Sequence, residues 1–366
     1  MSRSRDSLCS MARHGVAPSF SPRTPPHESA SLFLPQARSS ERGTMRRRDF
    51  LAGLIGAAGV WPVPARTQQI KPVIGFLNGG SMEGYAPYVA AFREGLRQSG
   101  YVEGENVVIE YRWAEGRYNL LPDFVADLVT RHVAVIVANT PANLEAKRAT
   151  DTIPVVFTTG SDPVQIGLVS NLRRPGGNVT GVTQLGHLLA PKRLELAHEL
   201  FPNATDVAFM INPSDSARGE KSLIDAQAVA KQLGLKLHVL RASNEAEIEV
   251  AFSSFSQFGA AALVIGTDAL YASKSRLLAE LSLRYAVPTI FQYVEFVRAG
   301  GLMSYGGNIR ESYRWAGIYA GRILKGEKPA DLPVQQSTTV ELIVNLKTAK
   351  ILGVIMPQTL LAAPTR

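Results

Sequence analysis

From Lys71 onward the chain repeats one long pattern, and that repetition limits its possible folds more than any other feature. Val73-Ile74-Gly75-Phe76-Leu77 runs into Asn78-Gly79-Gly80-Ser81, then a helical stretch to Arg97, a Ser99-Gly100 stop and an extended run from Val107 to Tyr111. The counterpart is Val207-Ala208-Phe209-Met210-Ile211, then Asn212-Pro213-Ser214-Asp215, a helical stretch to Gln232, a Gly234 stop and an extended run from Lys236 to Leu240. Val133 to Ala138, followed by Asn139-Thr140-Pro141, answers Ala261 to Ile265, followed by Gly266-Thr267-Asp268. Ile153-Pro154-Val155-Val156-Phe157 answers Val287-Pro288-Thr289-Ile290-Phe291. Taking Ile74 with Ala208, Val135 with Leu263 and Pro154 with Pro288, the offsets are 134, 128 and 134 residues. Periods this long exclude a solenoid and predict two similar lobes. Short apolar runs alternating with amphipathic stretches are the mark of βαβ units, so each lobe is expected to be a doubly wound parallel sheet flanked by helices, an α/β fold.

In such sheets ligands sit in the crevice beyond the carboxyl ends of the strands. Each apolar run here ends in small polar residues, so facing lobes would bring six such loops together. The longest loop follows Val155-Val156-Phe157. Thr158-Thr159-Gly160-Ser161-Asp162-Pro163 places Asp162 to cap, and Pro163 to begin, a helix expected to run to about Asn171. Arg174-Pro175-Gly176-Gly177-Asn178 then breaks the chain before an extended Val179 to Thr183.

The run PVVFTTGSDPVQIGLVSNLRRPGGNVTGVT, residues 154–183, resembles the signature segment of ABC-transporter substrate-binding proteins of the tryptophan/tyrosine-binding type, a branch of the type I periplasmic binding proteins. The order of elements from about Lys71 to the C-terminus is similar too. The resemblance implies a ligand trapped in a cleft between two lobes, three crossings forming a hinge, no catalysis and no cofactor. It further implies a monomer that partners the membrane permease of an importer. The lobes are expected at 66–181 plus 304–330 and at 182–303 plus 331–366, with hinge points near Gly181, Met303 and Pro333.

The first 65 residues stand apart. Residues 1–44 are rich in Arg, Ser and Pro without hydrophobic periodicity and are expected to be disordered or to precede the true start at Met45. MRRRDFLAGLIGAAGVWPVPA, residues 45–65, has the basic start, short apolar run and small-residue end of a signal peptide, with cleavage expected after Ala65. Arg47-Arg48 also fits a twin-arginine export signal. The apolar run falls short of the ~20 residues of a membrane span, so no stable insertion is expected and the mature chain belongs in the periplasm. Nine of the 39 basic and four of the 31 acidic residues precede Arg66, which leaves +3 on the rest. The basic balance of the whole chain therefore gives no reason to expect nucleic-acid binding. The single cysteine, Cys9, lies ahead of the signal, so no disulfide, thiol nucleophile or lipid attachment is expected beyond it.

For the ligand, Asn78, Ser81, Asn139, Thr140, Thr159, Ser161, Asp162, Asn212, Ser214 and Asp268 lie in the converging loops. Helix N-termini and hydroxyl side chains favour a carboxylate, expected on Ser81, Thr140 and Ser161, while an ammonium group would go to Asp268. Asp162, with Pro163 behind it, is expected to serve as a cap. Tyr85, Tyr88, Tyr271, Phe291, Tyr293 and Tyr305 lie in or just after these loops, and Tyr88 and Tyr293 are expected to line a pocket suited to an aromatic ligand. Ser, Thr and Asp before a helix are caps more often than contacts, and aromatic residues are more often core; recurrence at equivalent loops is what favours a site. No phosphate-binding glycine loop, nucleophile elbow or zinc-helix motif occurs, and His132, His187, His198 and His238 lack metal-ligand spacing. Two other readings are a ligand-sensing module, which would need a helix-turn-helix absent from residues 1–44, and a periplasmic enzyme with an Asp162/Asp268 acid–base pair.

Overall fold

The computed structural model describes residues 71–361 except 185 and 338, with the backbone alone at 187, 188 and 216–218. The extension 1–44, the export segment 45–65 and its cleavage point lie outside the described residues.

The first copy of the pattern supplies β1 (Val73–Asn78), α1 (Met82–Gln98), β2 (Val108–Trp113), α2 (Leu121–Thr130), β3 (Val135–Asn139), α3 (Ala142–Ala149), β4 (Val155–Thr159) and β5 (Val179–Thr183). The second supplies α4 (Ala190–Leu200), β6 (Asp206–Ile211), α5 (Ser216–Gln232), β7 (Lys236–Arg241), α6 (Glu245–Ser253), β8 (Leu263–Ile265), α7 (Ala269–Ser273), α8 (Ser275–Arg284), β9 (Thr289–Phe291), α9 (Val294–Arg298) and β10 (Met303–Gly307). The chain ends through α10 (Ile309–Leu324), β11 (Gln335–Gln336), β12 (Val340–Val344), α11 (Leu346–Ile351) and α12 (Gln358–Leu361). The sheet orders are β11-β5-β4-β3-β1-β2 and β12-β10-β9-β8-β6-β7, so the duplicated sequence gives a duplicated topology. All neighbours pair in parallel except β10 with β12. The inner strands β3, β4 and β5 are buried along their whole length, which is why β3 and β4 open with unbroken Val-rich runs instead of alternating ones.

Two sequence expectations need correction here. No helix follows Asp162: residues 163–167 form turns, and Gly167 at φ 73° carries the chain into a left-handed conformation that ends any helical run. The crossings between sheets also lie later than expected. They follow β5 at Gln184, β10 at Asn308 and β11 at Ser337, because β10 pairs with β9 in the second sheet and β11 with β5 in the first. The first lobe therefore extends to 183 and from 309 to 336, and the second takes β10. Two of the crossings lie side by side, since a Cβ on Gly307 would stand 3.3 Å from the Cβ of Gln184.

Helix α10 returns to the first lobe and packs on α1 through glycines: a Cβ on Gly95 would overlap the Arg314 carbonyl, and one on Gly317 the Phe92 carbonyl. Between the lobes, Gly84 of α1 is equally close to the backbone of Ser273 in α7. A single buried cluster joins the lobes here, with Tyr85, Tyr88, Phe92 and Tyr313 on one side and Tyr271, Phe291, Tyr293 and Phe296 on the other.

Candidate functional site

The carboxyl ends of the two sheets face one another across a narrow chamber partly open to solvent. The first lobe contributes Asn139 and Thr140 at the end of β3, and Thr158 to Ser161 at the end of β4. The second contributes Thr267 and Asp268 after β8 and Tyr293 after β9. Gln184 enters from the first crossing, and Ile309 and Tyr313 from α10.

Two asparagines hold the wall of the first lobe. Asn78 Oδ1 accepts from the Gly80 N–H at 2.8 Å and from Asn139 Nδ2 at 3.0 Å, while Asn139 Oδ1 accepts from the Gly79 N–H at 2.9 Å. Their remaining amide protons go to tyrosine oxygens, Asn78 to Tyr313 at 3.1 Å and Asn139 to Tyr85 at 3.1 Å. Thr140 Oγ1 donates to Thr159 Oγ1 at 2.8 Å and accepts from Asn143, and Thr159 Oγ1 also accepts from the Ser161 N–H at 3.0 Å. Burial raises the phenols of Tyr85, Tyr293 and Tyr313, so all three stay neutral hydrogen-bonding groups around an aromatic wall.

Two carboxylates line the chamber, Asp215 and Asp268, and Asp268 is the buried one, only 8% exposed. Its Oδ1 accepts from Tyr118 Oη at 2.8 Å, from Asn212 Nδ2 at 3.0 Å and from the Leu270 N–H at 2.9 Å. Tyr118 belongs to the first lobe, so this oxygen also joins the two lobes. Burial pushes the carboxyl above its ordinary range, against the hydrogen bonds from Asn212 and Tyr118, which lower it.

Of the residues expected at the site, Asn139, Thr140, Thr159, Ser161, Asp268 and Tyr293 share the chamber. The others do not line it. Asn78 lies behind the wall, Tyr88 is stacked on Tyr313 with ring centroids 5.7 Å apart, and Asn212 serves Asp268. Ser81 caps α1 by accepting from the Gly84 N–H, and Ser214 is exposed beside a neighbouring depression. Asp162 accepts from Val164 and Gln165 N–H groups and caps a turn instead of a helix. Asp268 lines the chamber and also caps α7, so capping alone does not separate the two aspartates. An acid–base pair of Asp162 with Asp268 has no shared cavity.

Sequence reasoning missed Tyr313, Gln184 and Tyr118. Tyr313 sits in a helix whose periodicity reads as core, and Gln184 and Tyr118 are brought in only by the crossing and by the second lobe. No group of three or more His, Cys, Asp or Glu able to hold a metal occurs among the described residues, and none of their helices is long and apolar enough to cross a membrane.

Known proteins are similar to this chain in sequence and fold. A tyrosine-binding protein of Clostridioides difficile (strain R20291) is 29% identical over 263 residues, 71% of this chain and 75% of that protein. An ABC domain of Streptococcus pneumonia solved in complex with L-Trp is 26% identical, covers 80% of this chain and 97% of its own, and superimposes with a TM-score of 0.69. A ligand-free, open substrate-binding protein with adhesive properties from Clostridium difficile is also 26% identical, covers 78% and 96%, and gives 0.52. The family model described as ABC transporter substrate binding protein matches residues 73–366. The chain belongs to that family.

Proposed function

We propose that this chain captures an amino acid or related small carboxylate, with aromatic side chains preferred, and delivers it from the periplasm to the permease of an ABC importer. The observation that carries this reading is the chamber itself: a buried carboxylate, a wall of small hydroxyls and three neutral tyrosines meet between two lobes joined by three crossings. Asp268 would take the ammonium group and Thr140, Thr159 and Ser161 polar groups of the ligand, while the tyrosines enclose its apolar part. The names of the relatives support the ligand class, one being a tyrosine-binding protein and another solved with L-Trp.

Closure about the crossings is part of the same proposal. At equal identity the chain superimposes better on the L-Trp complex than on the ligand-free, open protein, as expected of lobes drawn together. Packed lobes move as units while connecting segments absorb the rotation. Thermal-shift screening of the full chain against the twenty amino acids and aromatic carboxylates tests the reading: stabilisation by a narrow group that includes tyrosine or tryptophan supports it, and no stabilisation by any of them contradicts it.

A further inference from the structure

Arg193 projects from α4 into the protein and is 0% exposed. Its Nη1 donates to the Tyr305 carbonyl at 3.2 Å and its Nη2 to Thr267 Oγ1 at 3.4 Å, both long contacts to neutral oxygens, and its Nε has no hydrogen-bond partner. Among the described residues no carboxylate pairs with it; the titratable groups that act on it are Tyr293 and Tyr305. Burial draws its pKa down from the ordinary guanidinium range to about 10, which still leaves it charged at neutral pH. A buried cation without a counter-ion is strongly unfavourable, so a fold that keeps one is placing the charge where something else will meet it.

The surroundings point the same way. Thr267 lies between Arg193 and the chamber, which it lines. Thr267 Oγ1 donates to Gln292 Oε1 at 2.5 Å, and Gln292 Nε2 is buried without a partner. Donors therefore exceed acceptors at this corner. A hydroxyl that accepts from a guanidinium is also a stronger donor itself, and its use by a ligand requires the Thr267 O–H to turn from Gln292 Oε1 towards the chamber. Across the chamber the first lobe is near: a Cβ on Gly160 would stand 3.2 Å from Thr267 Cγ2, and Ser161 follows it.

We infer that Arg193 is a positioning residue that orients the ligand, holding its carboxylate at the corner between Thr267 and Ser161 while the neighbouring Asp268 holds the ammonium. The inference rests on the proposed site and adds a direction to it. Consecutive residues, Thr267 and Asp268, then match the two charged groups that an α-amino acid carries on one carbon. Arg193 acts through Thr267, so its contribution is to charge selection, favouring a free carboxylate over an uncharged amide of the same shape.

Calorimetry of the full chain with L-tyrosine, L-tryptophan and their carboxamides makes the test, on the parent, Arg193→Gln and Arg193→Lys. A unit charge one residue behind the chamber wall changes anion affinity by about tenfold to a hundredfold. The parent should prefer each acid to its amide by at least about tenfold, Arg193→Gln should lose that preference with amide binding nearly unchanged, and Arg193→Lys should keep part of it. The ligand-free thermal midpoint of Arg193→Gln should not fall, since an unpaired buried charge has been removed. Equal weakening of acid and amide, or a parent that binds both alike, overturns the inference and leaves the amino-acid site standing. A parent that binds neither class overturns both. Should Arg193→Gln fail to fold, the acid-to-amide ratio of the parent and of Arg193→Lys still decides.

Discussion

Replacing Asp268 by Asn changes charge and little else, which makes it the sharpest single perturbation of the chamber. The oxygen that accepts from Tyr118, Asn212 and Leu270 can be kept, so the link between the lobes and the cap on α7 survive in weakened form. What is lost is a charged acceptor for the ligand's ammonium. A hydrogen bond to a charged group contributes about 1.5 to 3 kcal/mol, which is roughly tenfold to a hundredfold in affinity. Burial holds the carboxyl above its ordinary value of 3.8. In the parent, therefore, binding of an ammonium-bearing ligand should weaken as the pH is lowered through that raised value, starting above 3.8. The stability sign is opposite. A carboxyl with a raised folded pKa opposes folding while ionised, and that penalty is relieved as pH falls, so Asp268→Asn should leave the ligand-free stability within about 1 kcal/mol of the parent at neutral pH. Calorimetry with L-tyrosine and its deaminated analogue, 3-(4-hydroxyphenyl)propionate, on both proteins reads the effect. Asp268→Asn that binds tyrosine as tightly as the parent, or that weakens both ligands equally, refutes the ammonium assignment.

Three further substitutions separate closure from folding. Tyr118→Phe removes a hydrogen bond between the lobes and should weaken tyrosine and its deaminated analogue alike, by about five- to twentyfold, with an unchanged unfolding curve for the ligand-free form. Gly84→Ala puts a Cβ against the Ser273 backbone of the other lobe, so affinity should fall about tenfold to a hundredfold while the ligand-free helix, relieved of a glycine, gains up to about 1 kcal/mol in thermal unfolding. Gly317→Ala makes the same exchange inside the first lobe, against the Phe92 carbonyl, and thermal unfolding should show a loss of about 1 to 3 kcal/mol in the ligand-free protein.

The fold was legible because its signals are local. Strands buried on both faces have no choice but continuous apolar runs, and the amphipathic stretch Ile309–Leu324 coincides with α10, capped by Asn308 accepting from the Glu311 N–H at 3.1 Å. The expected helix after Asp162 failed because a cap and a proline begin a helix only if the residues after them can propagate it, and Gly167 does not. The chamber was legible only in part. Loops after β3, β4 and β8 were found from their polar residues, yet Ser81 and Ser214, equally polar, face elsewhere. Nothing local distinguishes a serine that caps from one that lines a cleft. Tyr118 and Arg193 were invisible for a related reason, since each acquires its role from residues 150 and 74 positions away.

The central claim, capture of an unaltered small amino acid between the lobes, is tested most directly by calorimetric titration of the full chain with L-tyrosine and L-tryptophan, with recovery of the ligand afterwards. One saturable site per chain and a ligand returned chemically unchanged are the predicted result. Absence of binding heat with both ligands, or recovery of a converted product, would contradict it.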